Sequence, residues 1–249
     1  MLITPNRANL NKIVVLNPKG GCGKTTLVTN IASTLAARGP MPTVMDCDPQ
    51  GSTMRWLEKR PSECAPIYGI AAYKRTMQAT RSWQLRIPEE TMAVIVDSPA
   101  GLSHDDLRDL TRDATSIVVP VLPSAIDIHA ASRCIADLLL VAKVDRQDNK
   151  LAVVANRTRR NTRSYAGLMR FLDSLGIPVI GILRDSQHFV LAAESGLGVG
   201  ELSSSRARQD AAQLDDIVDW LCAWRNRGRN EALDRTIRES SNVTELRKP

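Results

Sequence analysis

The feature that most constrains this chain is one run of nine residues, Pro18-Lys19-Gly20-Gly21-Cys22-Gly23-Lys24-Thr25-Thr26, directly after the β-branched stretch Lys12–Asn17. A buried strand that ends in a glycine cluster and passes straight into a helical sequence gathers backbone N–H groups at a helix N-terminus. The helix dipole favours negative charge there. Glycines let the backbone turn inward around phosphate oxygens, Lys24 can reach β- and γ-phosphates, and the Thr25 hydroxyl can ligate Mg²⁺. The run reads as a cradle for nucleotide phosphates. It departs from the general G-x-x-x-x-G-K-[ST] pattern at its first position, where Pro18 replaces glycine, and it carries a second lysine, Lys19.

Around this loop, short apolar runs alternate with amphipathic stretches. Strands are expected at Lys12–Asn17, Thr43–Asp46, Ala93–Asp97, Ser116–Val121, Leu151–Asn156 and Pro178–Ile182, with a weaker one at Ile67–Tyr73. Helical spacing occupies Thr25–Arg38, then 52–60, Thr76–Arg86, Asp105–Asp113, Ile126–Lys143, Thr162–Leu175 and Ala207–Arg225. Regular β-then-α alternation specifies an α/β fold with a doubly wound, mostly parallel sheet, and the glycine loop between its first strand and first helix makes it of the P-loop NTPase type. Ligands of such sheets bind at the carboxyl ends of the strands. One domain is expected over residues 1–226, with 227–249 as a polar helix or flexible tail.

Composition narrows the setting. The formal charge of +6 favours a polyanionic partner, but the excess is shared by both halves of the chain, so any basic patch is local. Five cysteines, odd in number and without a C-x-x-C pair, fit reduced thiols and argue against a disulfide framework or structural zinc. No apolar run approaches the ~18 residues of a membrane span, and a cytoplasmic protein is expected.

The loop Lys19-Gly20-Gly21-Cys22-Gly23-Lys24-Thr25-Thr26 resembles the deviant Walker A motif of the ParA/MinD superfamily of dimeric ATPases. The likeness continues in Asp46-Cys47-Asp48-Pro49-Gln50-Gly51-Ser52, similar to that family's switch I. It continues again in Val94-Ile95-Val96-Asp97-Ser98-Pro99-Ala100-Gly101, similar to its Walker B strand and switch II. Pro120-Val121-Leu122-Pro123-Ser124 and the strand ending at Asn156 also fall in that family's order, so the resemblance covers roughly residues 12 to 225, and the nearest branch is that of small ParA/ParF-type partition ATPases. The resemblance implies ATP and Mg²⁺ as ligands. Lys24 would neutralise phosphate charge in its own subunit, and Lys19 would reach the partner subunit's nucleotide across a sandwich dimer. Gly20, Gly21, Cys22 and Gly23 would line the phosphates, and Thr26 would bond the α-phosphate. Asp48 would orient the attacking water, while Thr25, Asp46 and Asp97 would hold the metal shell. Gly101 would sense the γ-phosphate. Asn156 resembles the family residue that reads the adenine edge, although an asparagine ending a strand in a turn fits the position equally well. Cys22 reads as a small side chain, not a nucleophile.

Two basic clusters are local. Arg157, Arg159, Arg160, Arg163 and Arg170 fall within fourteen residues that contain no acid, and Arg225, Arg227 and Arg229 follow the last long helix. Arginines on one face give salt-sensitive, sequence-independent DNA affinity, and the family resemblance points the same way, toward a DNA surface at Arg157, Arg159, Arg160, Arg163, Arg225 and Arg227. With eleven residues before the first strand, no helix-turn-helix is expected there. Trp220 and Trp224 read as packing residues, and His104, His129 and His188 receive no role. The resemblance thus implies an ATP-dependent homodimer on nonspecific nucleoid DNA, whose slow hydrolysis is stimulated by a small ParB-like or adaptor protein. Its cargo would be a plasmid, a chromosome or a protein organelle such as the carboxysome. A MinD-like membrane-associated ATPase is the alternative, but the sequence lacks that type's aromatic amphipathic tail.

Overall fold

The computed structural model describes residues 10–39, 41–74 and 87–226. Its strands are β1 (Asn11–Val15), β2 (Thr43–Asp46), β3 (Tyr68–Ala71), β4 (Ala93–Asp97), β5 (Ser116–Val121), β6 (Leu151–Thr158) and β7 (Val179–Arg184). The helices are α1 (Lys24–Ala37), α2 (Ser52–Glu58), α3 (His104–Thr111), α4 (Ala125–Leu140), α5 (Arg163–Leu175), α6 (His188–Glu194) and α7 (Arg208–Cys222). The seven strands form one sheet in the order β3-β2-β4-β1-β5-β6-β7, and every pairing is parallel. This is the doubly wound sheet expected from the alternation.

The alternation of side chains along β1 explains how both faces are covered. Ile13 and Val15 point to one core with Leu27 and Ile31 of α1 and Leu214 and Ile217 of α7. Val14 and Leu16 point to the other, with Leu107 of α3, Leu138 of α4 and Leu168 of α5. A strand buried on both faces must be apolar throughout, which is why Ile13-Val14-Val15-Leu16 is unbroken. Pro120 sits in a central strand without harm. The β1 pairing ends opposite Val118, so the missing N–H faces no ladder, and the Pro120 carbonyl accepts from Asn17 Nδ2 at 2.8 Å instead.

Local chemistry sets the helix starts. Ser103, Ser124 and Thr162 cap α3, α4 and α5 by accepting the N–H of Asp106, Asp127 and Tyr165. Among the described helices, only α1 and α2 start behind a left-handed glycine, Gly23 and Gly51, without a side-chain cap. The first-turn donors of α1 remain available to a ligand, whereas Asp46 Oδ2 takes the Met54 N–H of α2. The sequence did not indicate α6, a seven-residue helix with no capping side chain. The helix expected at Thr76–Arg86 and the tail from 227 onward lie outside the described residues.

Candidate nucleotide site

The chain reverses direction across the sheet at β1, and the crevice at the carboxyl end of β1 is where a doubly wound sheet binds its ligand. Asn17, fully buried, braces the loop that leaves this strand: its Oδ1 accepts from Lys19 N at 2.9 Å while its Nδ2 holds Pro120. Inside the loop, Lys24 Nζ donates to the carbonyls of Asn17 and Lys19 at 3.1 and 3.2 Å. Cys22 Sγ donates to the Lys19 carbonyl at 3.3 Å. Cys22 is fully buried, and burial pushes its thiol pKa up, which agrees with a packing role for the side chain.

The two lysines of the loop point differently. The Lys24 ammonium is turned into the loop and the residue is 7% exposed. The Lys19 side chain is 34% exposed, with its Nζ 2.6 Å from Oδ1 of Asp127, which is nearly buried in the first turn of α4. Ser124 fixes that carboxylate: its Oγ donates to Oδ2 and accepts the Asp127 N–H. Asp127 was not singled out by sequence, though Ser124-Ala-Ile-Asp127 after a strand is a legible capping pattern.

Across the sheet, Asp46 and Asp97 are neighbours in the β2·β4 register. Thr25 Oγ1 and Thr53 Oγ1 donate to Asp97 Oδ2 at 2.8 and 2.7 Å, while Asp97 Oδ1 is buried with no hydrogen-bond partner among the described residues. Burial drives the Asp97 pKa up to about 6, with the Asp46 charge adding to the rise, against hydrogen bonds from Thr53 and Thr25. A carboxylate with one unused oxygen beside a threonine hydroxyl suits a hard cation such as Mg²⁺. Asp46 keeps different company. Both of its oxygens accept backbone N–H groups, those of Asp48 and Met54, each at 3.1 Å, so it shapes the loop that carries Asp48. Asp48 is half-buried on that loop, its Oδ1 accepting from Gln50 N at 2.9 Å. Gly101, at φ 72°, donates its N–H to Pro18 O at 3.2 Å, clipping the third motif to the first residue of the phosphate loop.

Asn156 reaches the same loop through a bulge. Between the register pairs Ala155↔Ile182 and Thr158↔Arg184, β6 has one residue more than β7, and Arg157 takes up the excess at φ 48°. Asn156 Nδ2 thereby donates to Cys22 O at 2.8 Å. A Cβ on Gly23 would lie 2.2 Å from that nitrogen, and Gly23 is at φ 93°, so glycine is required there twice over. Beside Asn156 lies a cavity of about 490 Å³, lined among others by Thr26, Arg157, Arg184, Ser186 and Gln187.

The basic clusters separate. Arg157, Arg159, Arg160 and Arg163 are exposed at the carboxyl end of β6, on the nucleotide edge, with Arg159 paired to Asp185 at 2.6 Å. Arg225 lies just past α7, whose Leu221 carbonyl meets Asn11 Nδ2 at the start of β1, on the opposite edge. Arg225 stacks on Trp224 at 5.2 Å, and Trp220 packs on the α1/α7 core. Arg227 and Arg229 fall outside the described residues.

A central parallel strand, a glycine loop with an inward lysine, a threonine beside a Walker-B-type aspartate and a crevice at the sheet's turning point define a P-loop nucleotide-binding protein. The chain belongs to the CobQ/CobB/MinD/ParA nucleotide binding domain family, whose profile matches residues 13–199. Membership makes it an ATPase of the ParA/MinD kind. It is 30% identical, over 208 residues, to the Maintenance of carboxysome distribution protein A of Halothiobacillus neapolitanus, across 83% of this chain and 94% of that protein. Among solved structures, MinD in the MinC:MinD cell division protein complex of Aquifex aeolicus superposes with TM-score 0.69 at 18% identity, covering 86% of this chain and 96% of that one. An ATP complex of a Cyanothece McdA variant superposes with TM-score 0.66 at 13% identity, covering 85% and 97%. No helix among the described residues is long and apolar enough to cross a membrane.

Proposed function

We propose that this chain is a positioning ATPase that closes into a face-to-face dimer on ATP, binds nonspecific duplex DNA in that state, and is released when an adaptor on its cargo stimulates hydrolysis. The observation that supports the reading is that the two lysines of one phosphate loop have different partners. Lys24 turns into the loop and serves its own ligand, whereas the partly exposed Lys19 pairs with Asp127 of α4 and, once released from it, would serve a nucleotide held by a second copy. Similarity to a carboxysome distribution protein over most of the chain supports an intracellular cargo, with a protein organelle ahead of a plasmid.

Within this reading each side chain has a task. The backbone of Gly20 to Gly23 and the uncapped start of α1 bind the phosphates, Thr26 binds the α-phosphate, and the cavity beside Asn156 takes the nucleoside. Thr25 and Asp97 would hold Mg²⁺, which when bound neutralises charge on the β- and γ-phosphates. Asp46 shapes the loop that presents Asp48, and Asp48 orients the attacking water. Gly101 exchanges Pro18 for the γ-phosphate as the acceptor of its N–H. Arg157, Arg159, Arg160 and Arg163, on the same edge, bind DNA phosphates.

The experiment is binding to nonspecific duplex DNA without nucleotide, with ADP and with ATP–Mg²⁺ across a salt series, with anionic liposomes as the parallel surface. Salt-sensitive DNA binding confined to ATP, without liposome binding, is expected. Liposome binding, or indifference to DNA in all three states, would leave the ATPase standing and overturn the positioning role on DNA.

A further inference from the structure

We propose that Asp210 is a positioning residue for the nucleoside end of the nucleotide pocket, an inference that rests on the nucleotide-binding role proposed for the phosphate loop. Asp210 lies in the first turn of α7 and is fully buried, an environment a carboxylate tolerates only when its oxygens are matched by donors. Among the described residues, its side-chain donors come from a five-residue stretch at the end of β7 and the start of α6. Arg184 donates from both Nε and Nη2, the latter at 3.0 Å, Ser186 Oγ donates at 2.9 Å, and His188 Nδ1 lies at 2.7 Å. Burial alone would raise the pKa of this carboxyl, but the hydrogen bonds from Arg184, His188 and Ser186 outweigh it and hold the group below its ordinary value.

The donors are every second residue, so the backbone from 184 to 188 is drawn against α7 on one side. Between them, Asp185 pairs with Arg159 and, like Gln187, borders the cavity. Arg184 and Ser186 also border that cavity, together with Thr26 and Asn156. One carboxylate thus fixes a wall of the space into which a nucleotide extends once its phosphates occupy the loop. Arg184 N also donates to Gln213 Oε1 at 3.3 Å, one turn further along α7, so the wall is referenced to the helix at two points. Asp210 acts on the ligand only through Arg184 and Ser186, which stand between it and the cavity.

A positioning role has a signature that general destabilisation lacks: it affects the base and ribose but not the phosphates. The experiment measures, on the full chain with Mg²⁺, the affinities of ATP, ADP and inorganic tripolyphosphate for the wild type, Asp210→Asn and Ser186→Ala, with the melting temperature of each. Asp210→Asn is expected to weaken ATP and ADP by about tenfold, the usual scale for removing a supporting hydrogen-bond shell, while tripolyphosphate binds as to the wild type. Ser186→Ala is expected to show a smaller loss with the same selectivity, and it decides the matter if Asp210→Asn does not fold. Equal losses for tripolyphosphate and ADP, or unchanged ADP affinity in folded variants, would overturn the proposal. A wild type that binds neither ATP nor tripolyphosphate would instead overturn the nucleotide-binding role on which the proposal stands.

Discussion

At the scale of single residues, the two lysines of the phosphate loop make separable predictions. Lys24→Ala removes the ammonium aimed into the loop and should abolish nucleotide binding in a calorimetric titration. Lys19→Ala should bind ATP but remain monomeric in sedimentation, and an unimpaired ATP-dependent dimer would remove the partner-reaching role. Asp127 holds Lys19 on its own subunit, so any reach across an interface must break a 2.6 Å ion pair. Asp127→Asn should therefore shift dimerisation to lower ATP concentration in the same sedimentation experiment. Breaking that ion pair leaves the nearly buried Asp127 carboxylate without its cation, so the pair opposes dimerisation even though the Lys19 end is partly exposed. The stretch around Asp210 supplies a pH dependence. A carboxyl whose folded pKa lies below its unfolded value contributes stability above roughly pH 4, and that contribution is lost as the pH falls through the folded value. Urea unfolding of the wild type should lose midpoint steeply below pH 4, and less steeply in Asp210→Asn.

At the scale of elements, the interlock between β6 and the phosphate loop is the sharpest case. Gly23→Ala would put a methyl into the space of Asn156 Nδ2 and hold a non-glycine residue at φ 93°. A loss of about 1–3 kcal/mol in unfolding free energy is expected, with nucleotide affinity falling alongside it. Neither this interlock nor the bulge behind it was legible in the sequence. An unbroken apolar run gives β6 its existence, but one extra residue in a strand leaves no compositional trace, and the left-handed residue is an arginine, where turn chemistry favours glycine or asparagine. The seven-residue α6 was missed for a related reason. His188-Phe-Val-Leu-Ala-Ala-Glu194 lacks capping residues and is apolar on more than one side, so it offers neither boundary nor period. What was legible follows from strong local physics: unbroken apolar runs for buried strands, Ser124 and Thr162 for helix starts, and a glycine loop whose spacing has one chemical use. Asp46 marks the boundary of that legibility. Its position beside Asp97 was readable, but the two backbone N–H groups that occupy its oxygens belong to the fold.

At the scale of the whole molecule, the sheet assigns the basic clusters to different ends. The strands are parallel, so the carboxyl end of β6 and the helix that closes back beside the start of β1 cannot share a surface. Replacing Arg157, Arg159 and Arg160 with alanine should weaken ATP-dependent DNA binding and flatten its salt dependence, by about one unit of slope for each DNA phosphate no longer neutralised, while sparing hydrolysis. Replacing Arg225 tests the other end, and a larger effect there would move the DNA surface away from the nucleotide edge. The order of the strands has a further consequence, which concerns how the molecule is made. Thr25 and Asp97, joined by a hydrogen bond, are 72 residues apart, and β1 is flanked only by strands that come later in the chain. A ribosome therefore releases the phosphate loop well before the aspartate it works with, and the apolar β1 waits for β4 and β5 before its edges are paired. Nucleotide can have no full grip on the nascent chain before that stage, and in the mature protein ligand concentration adds to stability by mass action.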